Sequence, residues 1–196
     1  MFHDNDRIEG SAFADILLGY DGNDVVAGGA GNDTINGNQG FDAVFGGEGD
    51  DLLFGGRHDD HLDGELGNDS MNGNMGLDYL QGGAGNDLMF GGQDNDRLEG
   101  DSGNDTLSGD RGNDTLTGSM GTDYFVFNPQ GGHDHITDFT SGEDKLVISS
   151  GFALTVASVI SLSSQTGLDT VISLPGDVVI TLDNFAGLSA GDVIIA

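Results

Sequence analysis

An apolar residue recurs at every ninth position along most of the chain. Cutting the sequence every nine residues from Met1 gives fourteen nonamers that end at Val126 without an insertion. Position eight is apolar in all of them, from Ile8 to Phe125. Because successive side chains of a strand point to opposite faces, positions seven to nine predict a very short strand with position eight pointing inward.

Aspartate and glycine follow the same period. Position six is aspartate in all fourteen nonamers, position one is glycine in all but the first, and position four is glycine in ten. Glycine at positions one and four, with Gly, Asn or Asp frequent at position two, tolerates positive φ, so the first six residues predict a tight turn. His58 and Asp94 replace glycine at position four, and both residue types tolerate positive φ better than most. Phe13 and Ala14 predict an irregular turn in the second nonamer.

The repeats predict an all-β solenoid. A lone three-residue strand is not stable, whereas stacked copies bury the position-eight residues as a ladder. Two nonamers per coil give 18-residue coils with one strand in each of two parallel sheets. The fourteen nonamers then make seven coils over residues 1–126, and residues 127–196 are expected to form a mainly β capping segment.

The charge of the chain predicts that it needs cations. There are 34 acidic and 5 basic residues, for a net charge of −29. Stacked coils place the aspartates of nonamers n and n+2 about 4.8 Å apart, where two carboxylates repel by about 3 kcal/mol at an effective dielectric near 20. The summed repulsion of twelve such pairs exceeds the roughly 5–15 kcal/mol by which domains are stable. A shell of carboxylate and carbonyl oxygens between the turns suits Ca²⁺ better than Mg²⁺.

Other features exclude several classes of function. The excess of acids argues against nucleic acid, anionic lipid or polyanionic sugar as a ligand, and the absence of cysteine excludes thiolate metal sites. No apolar run is long enough for a membrane span, and the stretch "MFHDNDRIEG" has neither the basic nor the apolar region of a Sec-type signal peptide. Neither H-E-x-x-H nor G-x-S-x-G occurs, so the sequence predicts no zinc protease or lipase centre and no enzyme activity.

The nonamers resemble the G-G-x-G-x-D-x-U-x repeat of RTX proteins, in which U is apolar. The stretches "GGAGNDTIN" (28–36) and "GGAGNDLMF" (82–90) match it at every specified position. The resemblance implies a right-handed parallel β-roll with roughly 8–12 calcium ions between the turns. It also implies a bacterial protein exported by a type I secretion system.

The resemblance further implies which residues bind calcium. They are the position-six carboxylates and the backbone carbonyls around the position-one and position-four glycines. The aspartates are Asp6, Asp15, Asp24, Asp33, Asp42, Asp51, Asp60, Asp69, Asp78, Asp87, Asp96, Asp105, Asp114 and Asp123. The glycines are Gly19, Gly22, Gly28, Gly31, Gly37, Gly40, Gly46, Gly49, Gly64, Gly67, Gly73, Gly76, Gly82, Gly85, Gly100, Gly103, Gly109 and Gly112.

The C-terminal segment carries a second resemblance. Residues 127–149, "FNPQGGHDHITDFTSGEDKLVIS", resemble the segment that closes the β-roll in serralysin-like proteases, and the final "DVIIA" resembles the end of type I secretion signals. We expect two strands around a turn at Pro175–Gly176 and a short helix from Ser158 that ends by Gly167. A tail read by the export machinery need not brace the roll, so we expect the final residues to be dispensable for folding.

The sequence therefore predicts a calcium-binding module that is unfolded at low calcium, folds outside the cell and supports the secretion of a larger protein. The repeat is already in register at Met1, which favours a longer array or a preceding segment. Two alternatives stay open. One is an extracellular structural or adhesive protein that self-associates through its roll ends, or through apolar pairs such as Leu52/Phe54 that recur every 36 residues. The other is a carbohydrate-binding module of a secreted enzyme, although the five bases are too few and too scattered for a polyanion groove.

Overall fold

The structure, a computed structural model, describes residues 4–196 and is built almost entirely of strands. The first three positions of the first nonamer lie outside the described residues. The strands are β1 (Arg7–Glu9), β2 (Ile16–Asp21), β3 (Val25–Ala30), β4 (Thr34–Gln39), β5 (Ala43–Glu48), β6 (Leu52–Arg57), β7 (His61–Leu66), β8 (Ser70–Met75), β9 (Tyr79–Ala84), β10 (Leu88–Gln93), β11 (Arg97–Ser102), β12 (Thr106–Arg111), β13 (Thr115–Thr117), β14 (Tyr124–Phe127), β15 (His133–Ile136), β16 (Lys145–Ile148), β17 (Ser163–Thr166), β18 (Asp169–Leu174), β19 (Val178–Leu182) and β20 (Val193–Ile195).

Successive strands of the repeats alternate between two sheets. Sheet A has the order β1-β3-β5-β7-β9-β11-β13-β15-β19-β18-β17, and sheet B has the order β2-β4-β6-β8-β10-β12-β14-β16-β20. Neighbouring repeat strands are parallel and 18 residues apart, so that Val26 pairs with Val44 in sheet A and Ile35 pairs with Leu53 in sheet B. The predicted parallel solenoid with two strands per coil is confirmed.

The strands β2 to β12 are six residues long, twice the predicted length. Each begins at position seven of one nonamer and continues through position three of the next. The backbone pairing resumes beyond the position-one glycine, where Gly29 pairs with Gly47 and Ala30 with Glu48. The prediction of a six-residue turn was therefore wrong, because only positions four to six turn the chain.

Positive φ occurs at positions two and four of the nonamers. Gly29 and Gly31 have φ of 108° and 114°, and the substituted position-four residues His58 and Asp94 have φ of 76° and 78°, as predicted. Phe13 is not among the positive-φ residues, so the second nonamer does turn irregularly.

Glycine is required at position one for a different reason. A Cβ on Gly28 would lie 2.3 Å from Oδ2 of Asp33 and 2.5 Å from the carbonyl oxygen of Gly46. The same two kinds of oxygen crowd the equivalent point at Gly64 and at Gly82. Position one therefore excludes a side chain because of close approach, and the prediction that it supplies positive φ was wrong.

The core is a ladder of inward-pointing side chains, to which each strand of either sheet contributes one. The position-eight residues from the third nonamer onward are at most 1% exposed: Val26, Ile35, Val44, Leu53, Leu62, Met71, Leu80, Met89, Leu98, Leu107, Leu116 and Phe125. Each contributes about 1.5–3 kcal/mol of burial free energy. At the N-terminal end Ile8 and Leu17 are only partly buried.

Residues beyond 126 extend both sheets without a break. Strands β15 and β16 pair in parallel with β13 and β14. Residues 127–148 add Phe127, Ile136, Phe139, Leu146 and Ile148 to the core, and eight further buried side chains follow between Phe152 and Val193. The solenoid has about eight turns, one more than the nonamers alone supply. The division of the chain into two domains at residue 126 stays a prediction.

The far end of sheet A is antiparallel. Strands β18 and β19 form the predicted hairpin around Pro175–Gly176, and β17 adds to its edge. The predicted helix is present as α1 (Val156–Ser161), which begins with a capping box between Thr155 and Ser158. It begins two residues before the predicted start at Ser158 and ends well before Gly167, because β17 begins at Ser163. Within residues 4–196, no helix is long and apolar enough to cross a membrane.

The last residues form a paired strand rather than a free tail. Strand β20 pairs in parallel with β16, and Val193 is 5% exposed. A carboxylate oxygen of Asp192 accepts from the backbone N–H of Gly142 at 3.0 Å and the other accepts from Oγ of Ser141 at 3.0 Å. The segment expected to be dispensable for folding therefore braces the last turn of sheet B.

We expect Val193→Ala to lower the free energy of unfolding of the calcium-loaded protein by about 2 kcal/mol, because Val193 fills the end of the core. The next residue of the strand provides a matched control, since Ile194 is 37% exposed and Ile194→Ala should change stability by less than about 0.5 kcal/mol. Urea unfolding followed by circular dichroism measures both. Equal losses would contradict the packing of β20.

Candidate metal sites between the turns

The position-six aspartates form two ladders, one for each turn of a coil. The backbone N–H of each aspartate donates to Oδ1 of the aspartate 18 residues later, and Asp51 reaches Asp69 at 2.8 Å. One ladder contains Asp6, Asp24, Asp42, Asp60, Asp78, Asp96 and Asp114, and the other contains Asp15, Asp33, Asp51, Asp69, Asp87, Asp105 and Asp123. The aspartates of nonamers n and n+2 are therefore adjacent, and an amide of one coil contacts the carboxylate of the next.

Position five carries a second ladder that the sequence reasoning missed. The side chain of Asn68 accepts from the backbone N–H of Asn86 at 2.9 Å, and Asn86 accepts in turn from Asn104 at 2.8 Å. This ladder runs opposite to the first, since here the acceptor precedes the donor. The signal was present in the sequence as the recurrence of Asn or Asp before the invariant aspartate.

The second carboxylate oxygens have no hydrogen-bond donor. Eleven Oδ2 atoms are buried without a partner among residues 4–196: those of Asp24, Asp33, Asp42, Asp51, Asp60, Asp69, Asp78, Asp87, Asp96, Asp105 and Asp114. Each of these residues is at most 3% exposed. A buried carboxylate oxygen without a partner costs several kcal/mol unless a cation or a proton compensates it.

Backbone carbonyls lie beside these orphaned oxygens. The point where Gly64 would carry a Cβ is 2.4 Å from Oδ2 of Asp69 and 2.6 Å from the carbonyl oxygen of Gly82. At position four the carbonyls face the next coil. The carbonyl oxygen of Gly49 is 1.8 Å from the point where Gly67 would carry a Cβ. The position-one carbonyls therefore adjoin the carboxylates directly, and the position-four carbonyls stack along the turn.

The donor set fits a hard cation that accepts carbonyl oxygen. No three side chains of His, Cys, Asp or Glu converge anywhere in residues 4–196, so a site here must draw much of its shell from the backbone. Ca²⁺ takes six to eight oxygen ligands in flexible geometry. Among the described histidines, His135 has Nδ1 3.4 Å from Oδ1 of Asp183, and both side chains are partly exposed.

The two ends of the ladders differ from the middle. At the start, Oδ2 of Asp15 accepts from the backbone N–H of Ser11 at 2.6 Å and from its Oγ at 2.8 Å. At the other end, Asp114 and Asp123 donate to Oδ1 of Asp134 and Asp144, both at 3.0 Å.

Asp134 and Asp144 are site residues that the sequence reasoning missed. They lie 20 and 21 residues beyond their partners, so the nine-residue period does not reach them. Each is nevertheless followed by one residue and then a buried apolar one, Ile136 and Leu146, as at positions six to eight of the nonamer. That local pattern was the available signal.

Burial is the largest cause of raised pKa values in the ladders. The neighbouring aspartates raise the pKa of Asp60 further, and the backbone hydrogen bond from Asp42 offsets part of the rise. The pKa rises to about 8 for Asp60 and Asp96, to about 7 for Asp69 and Asp105, and to about 6 for Asp78, Asp87, Asp114 and Asp123. Without cations, the folded roll therefore holds protons that the unfolded chain releases.

The calcium-stripped protein should consequently be more ordered in acid. The pKa of these aspartates is 3.8 in the unfolded chain and about 6 to 8 in the folded one, so their stabilisation is complete below about pH 4 and is lost progressively as the pH rises from about 4 to about 8. Circular dichroism at pH 5, above the isoelectric point of 4.1, should show more β-structure than at pH 8. A spectrum independent of pH would contradict the burial of these carboxylates.

Comparison with known proteins identifies the repeats. The family model of the RTX calcium-binding nonapeptide repeat matches residues 4–35, 36–71, 72–107 and 99–128. No curated protein matches the chain.

Solved structures also resemble the chain, among them a lipase and an epimerase subunit. The crystal structure of extracellular lipase LipA from Serratia marcescens is 17% identical with a TM-score of 0.41, and the match covers 90% of this chain but 45% of the lipase. The solution structure of the AlgE6R3 subunit from the Azotobacter vinelandii mannuronan C5-epimerase is 29% identical with a TM-score of 0.46, covering 71% of this chain and 80% of that one.

The family matches run from residue 4 to residue 128, which is more than half of the chain. They coincide with the repeats whose aspartates form the two ladders. The protein therefore belongs to the family of RTX calcium-binding nonapeptide-repeat proteins, and its β-roll is made of calcium-binding repeats.

Proposed function

We propose that calcium bound between successive turns folds this chain, and that the folded roll is a non-catalytic secretion and stabilisation module of a larger exported protein. The observation that carries the proposal is the set of eleven buried Oδ2 atoms without a donor. Such a set is costly in a calcium-free roll at neutral pH and favourable once a divalent cation binds it.

The proposed ligands are the position-six carboxylates together with the carbonyls of the position-one and position-four glycines. Asp24 to Asp114 supply free Oδ2 atoms, whereas Asp15 has its Oδ2 occupied by Ser11. We therefore place the best sites in the middle of the roll and expect roughly 8–12 ions in total. Twelve divalent ions would reduce the net charge from −29 to about −5.

Calcium fits this shell better than magnesium does. Mg²⁺ demands near-ideal octahedral geometry and gives up its water reluctantly, whereas Ca²⁺ accepts irregular shells rich in carbonyls. The turn offers carbonyls fixed by the backbone and one carboxylate oxygen per aspartate, because Oδ1 already accepts the ladder hydrogen bond. A shell of this kind cannot contract around the smaller ion without breaking the ladder.

The same charges explain how the chain is exported. At low calcium the buried aspartates oppose folding, so the chain stays threadable for a type I secretion system. Outside the cell, calcium in the roughly 10⁻⁴–10⁻³ M range typical of extracellular modules drives the repeats together. Localisation is then extracellular or at the bacterial surface, and the C-terminal 70 residues carry the export signal and close the roll.

We expect the calcium-stripped chain to be largely unfolded at pH 7.5 and to gain β-structure cooperatively as calcium rises. Circular dichroism during a calcium titration measures this, and an equal titration with magnesium is the control. Magnesium should fold the chain poorly. A fully ordered calcium-free spectrum, or equal folding by both ions, would contradict the proposal.

Two aspartate variants locate the effect within the roll. Asp69 has a buried orphaned Oδ2 and ladder partners on both sides, whereas Asp6 is half-buried and has a ladder partner only in the following coil. Asp69→Ala should raise the calcium midpoint by about twofold, since the loss of one ligand is shared by neighbouring coils. Asp6→Ala should leave the midpoint almost unchanged. Matching midpoints would show that the ladder does not hold the ions.

Export is tested by a secretion assay, separately from folding. A type I system that secretes the full chain should not secrete a chain lacking residues 127–196, although all fourteen repeat aspartates remain. The Val193→Ala variant serves as the control for folding, because it weakens the last turn and keeps the segment. Secretion of the truncated chain at an unchanged level would disprove the signal assignment.

A further inference from the structure

A continuous trough runs along the outer side of sheet B, where the strands bend at the position-one glycines. One part has a volume of about 540 Å³ and is lined by residues that include Asn72, Gln93 and Arg111. The other has a volume of about 420 Å³ and is lined by residues that include Asn36 and Arg57. Asn74 and Met75 line both parts, so the two join into one feature along the axis of the roll.

The trough is lined mainly by carboxamides. Eight of them border it: Asn36, Asn38, Gln39, Asn72, Asn74, Gln93, Asn128 and Gln130. Several are held in place, since Nδ2 of Asn38 donates to the carbonyl of Asn36 at 3.1 Å and Nδ2 of Asn74 donates to that of Asn72 at 3.0 Å. Such groups present fixed planar donors and acceptors along the trough.

A row of long side chains follows one wall in register. Gln39, Arg57, Met75, Gln93 and Arg111 are successive partners across β4, β6, β8, β10 and β12. At about 4.8 Å per strand the row is about 19 Å long. The side chains of Arg57 and Gln93 are exposed and have no hydrogen-bond partner in residues 4–196. Met75 is 44% exposed at the centre of the row.

The charge of the trough departs from that of the chain. Two of the five bases of the protein lie here, beside the acid Asp110 and near Asp21, whose Oδ1 accepts from Nε2 of Gln39 at 2.9 Å. Within the described residues neither of these arginines forms an ion pair, whereas Arg7 and Arg97 pair with Glu9 and Glu99. The Nε of Arg111 donates instead to the side-chain carbonyl of Gln130 at 3.1 Å.

The equivalent positions of sheet A show that this composition is not a property of the repeat. Positions two and three there contain neither a carboxamide nor a base. The residues are Gly29, Ala30, Gly47, Glu48, Glu65, Leu66, Gly83, Ala84, Asp101, Ser102, Ser119 and Met120. Carboxamides are therefore concentrated on one face of an otherwise acidic solenoid, whereas the four arginines are divided equally between the two sheets.

We propose that the trough binds an extended, uncharged polysaccharide chain. A carboxamide can both donate to hydroxyls and accept from them, and a guanidinium can donate two hydrogen bonds at once. The half-buried Phe54, together with Met75, offers apolar surface to sugar rings. The rise of one strand, about 4.8 Å, is close to the length of one hexose ring. Successive sugar units thus meet equivalent positions of successive coils.

The spacing of the arginines excludes a polyanion as the preferred ligand. Arg57 and Arg111 are three strands apart, about 14 Å, and Met75 and Gln93 separate them. A chain with a carboxylate on every sugar would place several unpaired charges between them, close to Asp110. The net charge of the roll would repel these further.

The test uses the full calcium-loaded chain in affinity gel electrophoresis. The probes are the soluble neutral polysaccharides hydroxyethylcellulose, xylan, galactomannan and β-1,3-glucan, with polygalacturonate as the charged comparison. At least one neutral polymer should retard migration, and polygalacturonate should retard it less. Binding to none of the neutral polymers, or stronger binding to polygalacturonate, would overturn the proposal.

Matched variants connect binding to the trough. Arg57→Ala and Gln93→Ala should each weaken the binding of the retarding polymer about fivefold to tenfold, the value of one or two hydrogen bonds. Glu48→Gln, at the same nonamer position on sheet A and equally exposed, should leave binding unchanged. Circular dichroism in calcium verifies that all three fold. Unchanged binding in both trough variants would overturn the assignment, whereas a failure of calcium-induced folding would appear in the spectra alone.

Discussion

The hydrogen bond from an aspartate amide to the carboxylate 18 residues later sets the arrangement of the roll. It occupies Oδ1 and fixes the side chain, so that Oδ2 points into the turn against the glycine at position one. A side chain at that glycine would displace either the carboxylate or the carbonyl opposite it. The same contact buries a negative charge in every turn, and the chain cannot bury so many charges without cations or protons. The fold and the proposed metal dependence therefore have one origin.

Much of this was predictable because the period is rigid. The inward position-eight ladder, the two strands per coil and the adjacency of aspartates in nonamers n and n+2 all follow from a nine-residue repeat. The length of the strands could not be predicted from the repeat, because glycine at positions one and two has low strand propensity and indicates a turn. In the structure, pairing to identical neighbours keeps these glycines in the sheet, so that Gly29 and Gly47 pair with each other despite their positive φ.

The C-terminal end was harder to predict, since spacing no longer constrains it. Asp134 and Asp144 continue the ladders after loops of irregular length, and only the apolar residue two positions later marks them. The final apolar cluster has the composition of either an export signal or a strand. Sequence alone does not distinguish the two, whereas the packing of Val193 shows a strand. Beyond β15, sheet A changes from parallel to antiparallel pairing, which replaces an open repeat edge by a hairpin.

The direction of the aspartate ladder gives the two ends of the solenoid different chemistry. Every coil takes the acceptors of its position-six amides from the coil that follows it, and Asp134 and Asp144 supply the last of them. The position-five amides take their acceptors from the coil that precedes them, as Asn23 does from Asn5. Removal of a coil at the C-terminal end therefore leaves position-six amides without acceptors, whereas removal at the N-terminal end leaves position-five amides without them. Each end of the array needs its own kind of cap, a carboxylate at the C-terminal end and a position-five side chain at the N-terminal end.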